Sequence, residues 1–239
     1  MFLALTAVAS VLAGAIASVS GFGIGSLLTP LFNAPYDMRL AVAAVSIPHM
    51  VATSLRLWLM RRDVDRRVLK SFGLMSAAGG LTGAILQQYA TAPGLTIVFA
   101  TLLMFAGLAA LTGWSERLRF GPRTGWIAGV LSGVLGGLVG NQGGIRSAAL
   151  LGSELSPTAF VATATAAGLL VDAARMPVYV AMEHTRLAAE SGVIAVATVG
   201  VVVGTVIGRP VLRTLPPQVF RKLVGLLILL LGVYMFTRA

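Results

Sequence analysis

Two glycine-rich clusters in this chain have the residue types needed to hold a small anion. The first reads Ser20-Gly-Phe-Gly-Ile-Gly-Ser26, and the second Gly136-Gly-Leu-Val-Gly-Asn-Gln-Gly-Gly-Ile-Arg-Ser147. Gly21, Gly23 and Gly25, with Phe22 between them, allow backbone N–H groups to approach a ligand closely, as do Gly140, Gly143 and Gly144. Ser20 and Ser26 add hydroxyls to the first cluster, and Asn141 and Gln142 add amides to the second. Each of these four could donate to an oxyanion or satisfy backbone groups freed by the break. Arg146 follows the second cluster and could fork two N–H donors onto an oxyanion, or pair structurally.

Arg56, Arg146 and Arg175 all lie inside apolar segments. An ionised side chain at membrane depth costs at least about 2.5–3.5 kcal/mol, so it usually faces a cavity or a partner. Arg175 comes three residues after Asp172, which puts both on one helix face. They form a buried ion pair, or else a bound anion competes for Arg175 and Asp172 then takes a proton. His49 could relay protons inside its apolar helix, or simply pack there. Arg56, one turn from Arg61 and Arg62, could snorkel to the interface. His184 falls in an expected loop and receives no role.

These residues need a scaffold, and composition says which kind. The chain has 239 residues, 57% hydrophobic and only 11% charged. Soluble domains carry about 25% charged residues. Apolar stretches of membrane-spanning length recur from end to end. The expected class is therefore an all-α integral membrane protein, multi-pass, with the lipid bilayer as its main solvent. The segments read as 2–33 interrupted near 20–26, then 40–60, 69–88 and 94–113. The second half repeats the layout: 124–155 interrupted near 136–146, then 158–182, 188–208 and 219–237. Residues 1–113 and 124–239 would be two membrane repeats joined by a loop at 114–123. Arg56 parallels Arg175, Gly79 and Gly83 parallel Gly200 and Gly204, Ala13-Gly14 parallels Ala128-Gly129, and Pro93 parallels Pro217.

Charge discriminates between two topologies. If each interrupted segment crosses the membrane, the repeats are parallel, and loop basic residues divide ten against five. If each is a re-entrant hairpin, with arms of about 15 residues or roughly 22 Å, three helices per repeat cross. The repeats are then inverted, with both termini outside, and the division is twelve against three. The second arrangement fits the positive-inside rule better. A glycine break inside a membrane segment is tolerated where it is buried in protein or lines a cavity. A pair at matching places points to a transport site.

Other functions fit poorly. The net charge of +10 sits in short loops without aromatic stacking platforms, so no nucleic-acid partner is expected. No dinucleotide fingerprint or phosphate-binding loop is present. Two distant histidines and no cysteine offer no metal site, and no cofactor is implied. No nucleophile–base spacing supports an enzyme. The first 19 residues lack a basic n-region, so a cleaved signal peptide is not expected.

The glycine clusters, with Ala13-Gly14 and Pro30 around the first and Gly133, Gly136 and Gly137 in the second, resemble the TauE/SafE family, also described as sulfite exporters. The resemblance runs over nearly the whole chain. It implies a transporter of small sulfur-containing anions, sulfite or organosulfonates, moved outward across the bacterial inner membrane. The family often has a longer glycine run at the first break, which Ser26 ends early here, so fewer backbone contacts are expected from that hairpin. The expected function is a secondary transporter for such anions, driven by protons or the substrate gradient and working by rocking one repeat against the other. Its substrate would be held by the two clusters, Arg146 and Arg175, with Asp172 and His49 linked to protons. An anion channel and a non-transporting membrane subunit that binds a partner protein are the rival readings. The oligomeric state stays open, a homo-oligomer included.

Overall fold

The computed structural model describes residues 1–20, 23–113, 122–151, 155–212 and 216–239. Among them, all regular structure is helical. The order is α1 (Phe2–Ser20), α2 (Ile24–Phe32), α3 (Met38–Met60), a 3₁₀ turn (Arg61–Asp63), α4 (Arg66–Val68), a π-helical turn (Leu69–Gly73), α5 (Leu74–Gln87), α6 (Ala92–Thr112), α7 (Pro122–Val139), α8 (Gly143–Leu151), α9 (Pro157–Ala189), α10 (Ser191–Leu212) and α11 (Pro217–Phe236). Seven helical stretches among the described residues are long and apolar enough to cross a membrane. Large apolar side chains such as Leu12, Ile97, Val206 and Leu230 are exposed on the outside, as a lipid-facing surface requires.

Both interruptions are present and narrower than expected. α1 runs to Ser20 and α2 begins at Ile24, so Gly25 and Ser26 are helical; α7 runs to Val139 and α8 begins at Gly143, which puts Arg146 inside a helix. The arms are unequal, 19 and nine residues in the first case, 18 and nine in the second. Each short arm folds back along its long arm. The Phe32 and Tyr36 rings each lie 6.0 Å from the Phe2 ring, so the end of α2 returns to the start of α1. Ala149 and Leu150 of α8 share a buried cluster with Ala128 of α7.

The expected loop at 183–187 is instead part of α9. Glu183 and Arg186 pair along the helix at 3.0 Å, Arg186 also reaches Asp37, and the helix stops only at Glu190 before α10 begins. His184 is therefore helical. At this end of the molecule the Tyr36 hydroxyl donates to Glu190 at 2.5 Å. Burial, then the Glu190 carboxylate, push the Tyr36 phenol up to about 12. Burial alone would raise the Asp37 carboxyl, but Arg186 and the N–H groups of Leu40 and Arg39 outweigh it and hold it below the usual carboxylate range. Arg39 donates to the carbonyls of Gln88 and Ala90. The start of α1, the α2–α3 loop, the α5–α6 loop and the α9–α10 turn thus meet at one end. At the other end, Asp65 N–H donates to Thr163 Oγ1 near the start of α9, at 2.9 Å.

The tightest helix pairs join the two halves of the chain. α1 packs on α10, α7 on α5, α6 on α11 and α3 on α9. Glycines set these distances. A methyl group built on Gly204 would lie 2.0 Å from the Val11 carbonyl oxygen, and one on Gly137 would lie 2.0 Å from that of Gly80. Gly200 meets Ser10 while Gly208 meets Ala15, and Gly79 meets Val130 while Gly83 meets Val134. Both sets advance in the same direction, so each pair runs parallel. Small residues at such seams allow the close backbone approach that drives helix association in lipid.

Candidate functional site

The second break begins where Gly140 takes φ +76°, a left-handed conformation suited to glycine. Its N–H donates to the Gly136 carbonyl at 3.0 Å, closing the end of α7. Asn141 and Gln142 bridge to α8, whose Arg146 N–H donates to the Gln142 carbonyl at 3.0 Å. Ser132 Oγ donates to that carbonyl as well, at 3.2 Å, fixing the turn against α7. At the first break Gly23 takes φ +125°, and its carbonyl accepts the Leu27 N–H at 3.0 Å. The two breaks touch: a methyl group on Gly25 would lie 2.8 Å from the Gly140 carbonyl oxygen.

A helix that stops inside the membrane leaves carbonyls at its C-terminus without partners. Here side chains supply them. Arg175 Nη1 donates to the Gly136 carbonyl and Tyr179 hydroxyl to that of Gly137, and Gln87 Nε2 donates to that of Leu138 at 2.8 Å. On α1, Arg56 Nη1 donates to the Ala17 carbonyl. The two arginine clamps match in spacing, since each guanidinium reaches a carbonyl 39 residues upstream. Each also donates through Nη2 to the residue three positions before it, Arg56 to Thr53 Oγ1 at 3.2 Å and Arg175 to Asp172 Oδ1 at 2.8 Å. A cation on a helix C-terminus is favourable to the helix dipole.

The helix N-termini are treated differently. α2 and α8 begin beside a small hollow lined by Gly23, Gly25, Ser26, His49, Gly140, Asn141, Gln142, Gly143 and Arg146. Asn141 is 9% exposed and Gln142 5%, yet Asn141 Nδ2 and both Gln142 side-chain polar atoms have no hydrogen-bond partner. A buried amide left without a partner costs about 1–3 kcal/mol, which makes the hollow beside these atoms a candidate ligand site. Buried side chains among the described residues include three guanidinium groups, Arg56, Arg146 and Arg175, against one carboxylate, Asp172. The interior favours a negative guest.

Most of the expected site residues converge here. Gly23, Gly25, Asn141, Gln142, Gly143, Arg146 and His49 line the hollow, with Ser26 beside them. Gly144 is exposed and lies outside the lining, because one further residue turns it about 100° around α8. Ser20 donates its hydroxyl to the Ile16 carbonyl at 2.9 Å. Gly21 and Phe22 lie outside the described residues. Arg175 and Asp172 sit one layer behind the lining, held by the Gly136 carbonyl and by each other. His49 Nδ1 lies 2.6 Å from Asp172 Oδ2, linking the hollow to that layer. Arg56 does not snorkel; it is 4% exposed and spends its donors on α1 and Thr53. The capping roles of Tyr179, Gln87 and Ser132 escaped the sequence reading. Of the three, only Tyr179 carries a signal in the sequence, its spacing of one helical turn from Arg175.

The family model described as Sulfite exporter TauE/SafE matches residues 6–235. The chain belongs to this family. It is therefore a multi-pass membrane protein of the sulfite exporter class, and its apolar helices agree with that. No curated protein and no solved structure gives a significant match. For this TauE/SafE protein the hollow between the two breaks is the candidate anion site.

Proposed function

We propose that this TauE/SafE protein is a secondary transporter of the bacterial inner membrane that exports small sulfur oxyanions, sulfite or organosulfonates, by alternating access. One observation carries the reading: both helix breaks meet at a hollow where the N-termini of α2 and α8, unpartnered amide groups and Arg146 converge. Helix N-termini offer N–H groups and partial positive charge to an anion, while the arginine clamps occupy the opposite, carbonyl-rich ends. Radiolabelled sulfite uptake into proteoliposomes tests the reading. Saturable flux and counterflow exchange are expected. Flux that rises linearly with concentration, without exchange, would instead indicate a channel.

The halves form an inverted repeat in this proposal, and both interrupted segments are re-entrant. The return of Phe32 to Phe2 and of Leu150 to Ala128 supports hairpins. The matched arginine clamps support duplication. Single cysteines test it cleanly, since the chain has none. Pro35→Cys and Thr237→Cys, both at exposed positions, are expected to react with an impermeant thiol reagent from outside the cell, and Arg62→Cys only from inside. Labelling of Thr237→Cys from the same side as Arg62→Cys, opposite Pro35→Cys, would overturn the inverted arrangement.

The moving bodies differ from the two repeats. Rocking one half against the other would shear the α1–α10 and α5–α7 seams, where glycines bring backbones into contact. Access changes instead as these cross-half pairs tilt relative to one another, about the breaks where they meet.

A further inference from the structure

The two arginine clamps differ in one respect that packing does not require. Arg56 and Arg175 do the same structural work, each bonding a carbonyl before a helix break and a side chain three residues back. For Arg56 that side chain is Thr53, and the neutral hydroxyl suffices. For Arg175 it is Asp172, a fully buried acidic side chain. A buried carboxylate is costly to desolvate, and the first clamp shows that an arginine clamp of this kind holds without one. The second carboxylate oxygen has another partner: Asp172 Oδ2 lies 2.6 Å from His49 Nδ1, and His49 lines the hollow. The pair forms a path from the anion site to the clamp of the second break.

We infer that His49 and Asp172 couple anion binding to proton uptake. The inference rests on the anion-transporter reading of the hollow. The charged groups around His49 are Asp172 and Arg175 of α9, Arg56 of its own helix and Arg146 of α8. Three of these are guanidinium groups against the single Asp172 carboxylate, so an added positive charge on the imidazole needs a second negative charge nearby. An anion entering the hollow supplies that charge. The proton then passes from water to the free ring nitrogen of His49, while Asp172 accepts the Nδ1–H and holds the imidazolium in place. When the anion leaves, the proton leaves with it. Only the clamp of the second half carries the carboxylate, since Thr53 stands where Asp172 would be in the first; the histidine reaches it from α3 of the first half.

The test is calorimetry of methanesulfonate binding to the purified full chain, near neutral pH, in buffers of different ionisation heat. Methanesulfonate is permanently ionised, so every proton taken up goes to the protein. Buffer-dependent heats equivalent to about one proton per anion are expected for the wild type. His49→Gln is expected to bind with buffer-independent heats, and Asp172→Thr, which copies the first clamp, to take up clearly less than one proton. Wild-type heats that do not depend on the buffer would overturn the coupling and leave the anion site intact. The same proton count in His49→Gln would overturn it too. If the folded wild type binds no methanesulfonate, sulfite or sulfate, the anion-site reading itself fails and the coupling with it.

Discussion

Arg146→Ala is expected to abolish sulfite binding while the protein still folds. The guanidinium is 3% exposed and lines the hollow. It lies against Gly168, so closely that a methyl group there would meet Nη1 at 2.5 Å. Removing one partner of a buried charged hydrogen bond costs about 2–5 kcal/mol of affinity, or roughly 30-fold to several thousand-fold in Kd. Arg146→Lys keeps the charge and loses the fork, so it should bind measurably but more weakly than the wild type. Calorimetry with sulfite reads the affinities, and size-exclusion chromatography with a melting curve reads the fold. Wild-type affinity in the folded Arg146→Ala protein would remove Arg146 from the site.

Gly137→Ala is expected to cripple assembly of the molecule rather than its chemistry. The new methyl group would sit 2.0 Å from the Gly80 carbonyl oxygen and 2.7 Å from Ala84 N. Both are backbone atoms, which cannot rotate aside. α7 would have to move off α5, and the neighbouring contacts of Gly133 and Gly83 along the same seam would open with it. Overpacking of this kind costs about 3 kcal/mol or more, which in a chain of this size lowers Tm by roughly 6–12 °C. Gly125→Ala, on the same helix but with nothing within 4 Å, is the control and should melt like the wild type. Equal melting of the two variants would mean the α5–α7 seam is looser than described.

Much of this was legible in the sequence because the membrane restricts the choices. A glycine cluster in an apolar segment is either a break or a packing seam, and two clusters at matching places point to a shared purpose. That logic found Gly23, Gly25, Asn141, Gln142, Gly143, Arg146 and His49, which the structure brings together. It failed where a residue's role depends on a partner far away in the chain. Arg56 reads as an interfacial cation until Ala17 is seen beneath it. Residues 183–187 read as a loop because they are polar, but the Glu183–Arg186 pair along the helix and the Arg186–Asp37 contact support the helix through them. The carbonyl caps from Gln87 and Tyr179 were invisible for the same reason. Hydropathy gives the number of helices but not their neighbours, so the cross-half pairing of α1 with α10 and α7 with α5 appears only in three dimensions.

That pairing governs how the protein can be made. α1 leaves the ribosome well before its most extensive partner, α10, which begins only at Ser191. Until then α1 presents the small-residue groove around Gly14 to lipid, and the first half of the chain waits in the bilayer as an unfinished object. The α1 seam is therefore expected to close only after α10 has been made, late in the synthesis of the chain.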